Sequence, residues 1–171
     1  GLGLDSLRFY LGGDNHTAET LYLWLNHYLS RMELVVGENV YNLPSSLLQP
    51  VGFAADEAIL PYPKNAYAGY RIIQEYLSFP EAFRFVDIGG LKSRLPAVQA
   101  DEISLRFHFS RILPPDTRVT RDSLQLYCTP AVNLFSHEGE PVDLNGRQTE
   151  YRISPSSRCP EHFEVFSIEQ V

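Results

Sequence analysis

At 171 residues, with 44% hydrophobic and 20% charged side chains, the chain is long and apolar enough to fold as one domain with a core of its own, which argues against disorder. Fourteen basic against twenty-one acidic residues leave a formal charge of -7, the wrong sign for a phosphate-backbone binder unless the positive charges cluster. The densest basic stretch, Arg106, Arg111, Arg118 and Arg121, is broken by acidic and apolar residues, and no apolar run approaches the ~20 residues that span a bilayer.

Taken in order, Ser6 to Leu11 alternates, with Leu7, Phe9 and Leu11 on one side, as a half-buried strand does. Gly12 to Asn15 turns the chain, and Asp14 or Asn15 is placed to cap a helix over Thr17 to Leu29. Leu21, Leu25 and Tyr28 share one face of that helix and Leu23 and Trp24 lie opposite, so it is apolar nearly all round and reads as buried between layers or against a partner. Arg31 to Val36 is a short strand ended by Gly37. Residues 38 to 50 lack a clean period, and Pro44 and Pro50 suit a surface crossing with one strand-like piece. Asp56-Glu57 opens a short apolar turn that stops at Pro61-Tyr62-Pro63.

The central helix follows, from Tyr67 to Phe79. Tyr70, Ile73 and Leu77, and again Ile72, Tyr76 and Phe79, recur at helical spacing and give a broad apolar face that must be covered on most sides, leaving Arg71, Gln74 and Glu75 as the polar edge. Pro80 stops the helix. Phe83 to Ile88 reads as a strand, closed by Gly89-Gly90. Beyond it no helical period returns. Ile103 to Phe109, Leu124 to Cys128, Ala131 to Phe135, Thr149 to Ser154 and Phe163 to Ile168 read as strands, with turns at Gly139 and at Asn145-Gly146, the strongest hairpin dipeptide present. The expected fold is therefore α+β, with two main helices in the first half and predominantly antiparallel strands in the second. It forms a single domain over residues 1–171, with any internal boundary near 91–101.

Chemistry is sparse. His16, His27, His108, His137 and His162 include no pair at ligand spacing, and His137-Glu138-Gly139-Glu140 reads as an acidic turn before it reads as a metal site. Ser45-Ser46 and Ser156-Ser157 lack the setting that exposes a nucleophile, and the carboxylate pairs Asp56-Glu57 and Asp101-Glu102 point apart. Cys128 and Cys159 are too few for a disulfide scaffold or zinc knuckle, and Cys128 reads as a packed strand residue in a reducing setting. No catalytic, cofactor or metal residue is assigned. What remains is aromatic surface: ten Tyr, ten Phe and one Trp exceed the needs of a modest core. Tyr62, Tyr67, Tyr70 and Tyr76, around the Pro bracket and the central helix, are the candidate contacts with a neighbouring subunit or with other parts of a longer chain.

The strings VGFAADEAILPY and GYRIIQEYLSFPEAFRFVDIGGL, with LRFYLGGD near the start and CTPAVNLF later, closely resemble TssF (VasA or ImpG), a baseplate subunit of the bacterial type VI secretion machine, and occur in that family's order. No match is claimed over residues 38 to 50 and 136 to 162. Because that subunit is much longer, the resemblance implies an internal fragment. It implies a structural, non-enzymatic role in a contractile injection machine. The implied partners are a TssG-like subunit, a second TssF copy, TssK and TssE, in a cytoplasmic wedge docked at the inner membrane through other subunits. It implies no cofactor, no nucleic acid and no direct membrane insertion. Two other readings stay open on the residues alone: a β-rich sugar- or peptide-binding module with an aromatic groove in its second half, and a fragment of a hydrolase with convergent His, Asp or Glu side chains.

Overall fold

The computed structural model describes residues 5–63, 67–94 and 102–168. They fall into two compact units, residues 1–131 and 132–171. In the first unit the chain runs β1 (Leu7–Tyr10), α1 (Asn15–Leu23), a wider π-helical turn (Trp24–Tyr28), β2 (Leu29–Val36), β3 (Asn39–Pro44), β4 (Leu48–Pro50), α2 (Ala68–Ser78), β5 (Phe85–Ile88) and β6 (Ile103–Phe109). All strand pairs are antiparallel, in two three-stranded sheets ordered β1-β5-β4 and β3-β2-β6. The fold is α+β, as expected.

One cluster unites both sheets with α1. Strand β2 buries Met32, Leu34 and Val36 while Arg31, Glu33 and Val35 face away, and Leu43 from β3 joins the buried set. Leu48, Val86 and Ile88 come from the other sheet, and Ala18, Leu21 and Leu25 from the helical segment. Helix α1 starts where the capping residues placed it: the Asp14 carboxylate accepts the Thr17 N–H at 2.9 Å, which holds that carboxyl below its usual range. Gly12 is sterically required beside it, since a Cβ there would lie 2.6 Å from Gln125 Nε2 and 2.8 Å from the Asp122 carbonyl.

Four expectations are corrected. The first helix ends earlier than Leu29, because the backbone widens at Trp24–Tyr28 and Leu29 already pairs with Phe109 in the sheet. Residues 38 to 50 hold two strands rather than one strand-like piece. Pro44 and Pro50 are tolerated because β3 and β4 are both edge strands, where one missing N–H breaks no interior ladder. The division into helices first and strands second does not appear among the described residues, because β1 to β5 precede Gly89 and β6 alone follows. Leu124 to Cys128 contributes only a bridge from Gln125 to Tyr10, because Tyr127 adopts φ +62°, a left-handed conformation that breaks a ladder. The boundary expected near 91–101 lies mostly outside the described residues.

In the second unit, residues 132–168 form no strand, and a short 3-10 turn spans Pro160–His162. The Asn145-Gly146 turn is present, with Gly146 at φ +67° and the Asn145 side chain accepting the Arg147 N–H at 3.0 Å. Its flanks, together with Ala131 to Phe135 and Phe163 to Ile168, are irregular where sequence alternation predicted strands.

Candidate functional site

Helix α2 faces the opposite way from its expected orientation. Arg71 and Glu75, one helical turn apart, are 5% and 2% exposed, while Tyr67, Tyr70, Ile73, Tyr76 and Leu77 are 74%, 67%, 57%, 56% and 78% exposed. At about 100° per residue, Tyr70, Ile73 and Leu77 fall within an arc of roughly 60° on the side opposite Arg71 and Glu75. The helix is amphipathic, and its charged stripe points inward.

The segment from Gly52 to Leu60 explains why. It forms no strand and one short 3-10 turn (Ala55–Glu57), so its backbone groups need partners from elsewhere. Arg71 donates from Nη1 to the Gly52 carbonyl at 3.2 Å, and from Nη2 to the carbonyls of Phe53 at 3.0 Å and Ala54 at 3.1 Å. Glu75 Oε1 accepts the N–H groups of Ile59 at 3.0 Å and Leu60 at 3.1 Å, and its Oε2 accepts Arg71 Nη1 at 2.9 Å. Glu57 Oε2 takes the N–H groups of Gly52 and Ala54 at 2.9 and 3.0 Å. Three side chains thus satisfy seven backbone groups. The charges offset each other's desolvation, and each hydrogen bond to a charged group is worth about 1.5–3 kcal/mol.

Turning the charges inward forces the apolar side chains out. Phe83 closes the underside of this segment: Phe53 and Tyr76 meet it edge-on, with ring centroids 5.3 and 5.9 Å away. Gly52, at φ +102°, leaves room for that ring, since a Cβ would lie 3.1 Å from Phe83. Tyr67 and Tyr70 meet edge-on at 5.8 Å on the exposed side, and Tyr62 donates its hydroxyl to the Tyr67 carbonyl. Of the four tyrosines named from sequence, Tyr67, Tyr70 and Tyr76 lie on the exposed surface around α2, and Tyr62 is half-buried and braces its start. Ile73 and Leu77, read from sequence as covered, belong to the same patch. Complete burial of an aliphatic side chain contributes about 1.5–3 kcal/mol, so this exposed group leaves that gain unused in the chain itself.

The remaining polar chemistry is dispersed. Glu33, on the outer side of β2, has His108 Nε2 at 3.2 Å, Arg31 at 3.3 Å and Arg106 at 3.8 Å, and His108 and then Arg31 hold its carboxyl below the usual range. His16 pairs with Asp116 at 3.2 Å on the surface, and His27 packs edge-on to Tyr28 at 4.7 Å. In the second unit His137 stacks on Phe163 at 5.0 Å, and Glu140 accepts Ser157 N–H and O–H at 3.0 and 2.9 Å, so the acidic turn is occupied internally. An open depression of about 430 Å³, bordered by Leu25, Asn26, Ser45, Ser46, Leu48 and Gln49, carries no titratable side chain. Among the described residues one trio has metal-ligating atoms within 4.8 Å of one another: Cys159, Glu161 and His162. Sequence spacing missed it because the three converge only when the 3-10 turn eclipses positions three apart. Glu161 and His162 are exposed, so the trio lacks the enclosure of a structural zinc site.

The family model for the type VI secretion system protein TssF matches residues 1–171. This chain belongs to the TssF family. Type VI secretion system component TssF1 of Pseudomonas aeruginosa is 34% identical over 176 residues, covering 99% of this chain and 28% of that protein. Among solved structures, a chain of the type VI secretion system TssK-TssF-TssG baseplate subcomplex, determined by cryo-electron microscopy, superimposes with a TM-score of 0.68 at 31% identity. That match covers 96% of the TssF-family chain and 31% of the solved one. The chain thus spans under a third of the length of both relatives. Among its described residues no helix is long and apolar enough to cross a membrane.

Proposed function

We propose that this chain is part of a baseplate wedge subunit of a bacterial type VI secretion machine, and that it acts by assembly and not by turnover. The supporting observation is the match to the TssF family along the whole chain, joined to the solved baseplate subcomplex that a 31%-identical chain shares with TssK and TssG. On this reading the longer subunit joins a TssG-like protein, a second TssF copy, TssK and TssE in the cytoplasm, in a baseplate that reaches the inner membrane through other subunits. The contact surface on this chain is the outer side of α2, with Tyr67, Tyr70 and Tyr76 as aromatic anchors, Ile73 and Leu77 between them and Tyr62 holding the helix start. Aromatic groups of this kind carry a large share of binding energy at protein interfaces.

The test is co-expression of the full-length subunit with its TssG-like neighbour. Ile73→Asp combined with Leu77→Asp should leave circular dichroism unchanged and lower complex recovery at least tenfold. Tyr67→Ala and Tyr76→Ala should each weaken it less. Wild-type recovery and stoichiometry for the double variant would refute the assignment of this surface.

A further inference from the structure

Residues 132–168 have the sequence of a β module but lack the core and the ladder of one. None of them is buried, and Phe135, Leu144 and Ile168 are 61%, 70% and 54% exposed. Among the described residues their backbone–backbone hydrogen bonds number four: Glu140 N–H to the Ser154 carbonyl at 2.8 Å, Asn145 to Asp143, His162 to Cys159, and Phe163 to Pro160. A folded segment carries roughly two such bonds for every three residues, so this one is far short. Phe163 to Ile168 places Phe163 and Val165 on one side and Phe166 and Ile168 on the other. That is the pattern of a strand covered on both faces. A metal on Cys159, Glu161 and His162 would tie one turn and bury none of these side chains. Units of about 40 residues without a core are completed by a staple or by more protein. More protein is at hand: the chain covers 28% of the Pseudomonas relative and 31% of the solved one, so over two-thirds of such a polypeptide lies outside it.

We infer that Thr149–Ser154 and Phe163–Ile168 are strands of a sheet whose other strands come from the same longer polypeptide, outside residues 1–171. The occupant is an extended segment rich in β-branched and aromatic residues. It pairs with these backbones and covers Ile153, Val165, Phe166 and Ile168, while the Asn145-Gly146 turn and the Glu140–Ser154 bond set the register on this side. The claim concerns folding of the subunit itself and stands apart from the α2 surface.

The experiment uses the full-length subunit without partners. Amides of 149–154 and 163–168 should exchange at least a hundredfold more slowly than those of the exposed loop 136–138. A photoreactive phenylalanine analogue at Phe166 should cross-link within the same polypeptide to a segment outside residues 1–171. Fast exchange in both stretches overturns the inference. So do cross-links confined to residues 1–131, or protection that arises only when a second protein is added. Phe166→Leu, which keeps the bulk apolar, should preserve the protection.

Discussion

Helix α1 buries Thr17, Ala18, Thr20 and Leu21 and leaves Glu19 outside, whereas α2 buries Arg71 and Glu75 and turns Tyr70, Ile73 and Leu77 to solvent. The inward side of each is chosen by what it packs against. Helix α1 shares its core cluster with Met32, Leu34 and Ile88, whose ladders already satisfy their backbones, so apolar contact is what remains to gain. Under α2 lies Gly52 to Leu60, with carbonyl and N–H groups that no ladder serves, and leaving each one buried and unpaired costs about 1–3 kcal/mol. Charged side chains satisfy that segment, and the apolar stripe is left exposed.

The largest expected effect is at the charged pair. Arg71→Ala should destabilise by about 3–5 kcal/mol in urea denaturation, because it strands Glu75 and three carbonyls. Replacing both, as Arg71→Met with Glu75→Leu, should not restore stability, since the Ile59 and Leu60 N–H groups then lose their acceptor as well. Restoration would reduce the pair to a simple ion pair and erase the contrast between the helices. On the α1 side, Leu21→Ala should cost about 2–5 kcal/mol, the range for emptying a packed aliphatic site.

Acid sharpens the comparison next. Asp14 at the α1 cap and Glu33 on β2 have carboxyls held below their ordinary range, Asp14 by the Thr17 N–H and Glu33 by His108 and then Arg31. The folded state therefore binds fewer protons than the unfolded chain, so their contribution is present above the ordinary carboxylate range near pH 4 and is lost as pH falls through the lower folded values. Asp14→Asn keeps a capping acceptor but removes the titration. It should flatten the acid limb of a stability–pH curve while leaving neutral-pH stability nearly unchanged. The smallest effect on folding is expected at the outer side of α2, where Ile73→Asp should change stability by less than about 0.5 kcal/mol.

How much was legible in the sequence follows the same division. The spacing of Tyr70, Ile73 and Leu77 located α2 and grouped its side chains, and alternation located β1 and β6, because such patterns report which residues share a side. They do not report which side faces in. That depended on carbonyls of Gly52, Phe53 and Ala54, some 17 to 19 residues upstream of Arg71, and backbone groups leave no mark in composition. Aromatic excess near a Pro bracket is a compositional signal that marks the four tyrosines, while Ile73 and Leu77 read as part of a face that must be covered. After Leu124 the expected strands stay unpaired: Tyr127 breaks one ladder, and 149–154 and 163–168 find no partner strand among the described residues.

The most direct measurement is hydroxyl-radical footprinting of Tyr67, Tyr70 and Tyr76 in the full-length subunit, alone and after assembly with its TssG-like and TssK-like neighbours. The account predicts high reactivity in the free subunit and strong protection of all three in the assembled wedge. Equal reactivity in the two states, or protection already complete in the free subunit, would contradict it.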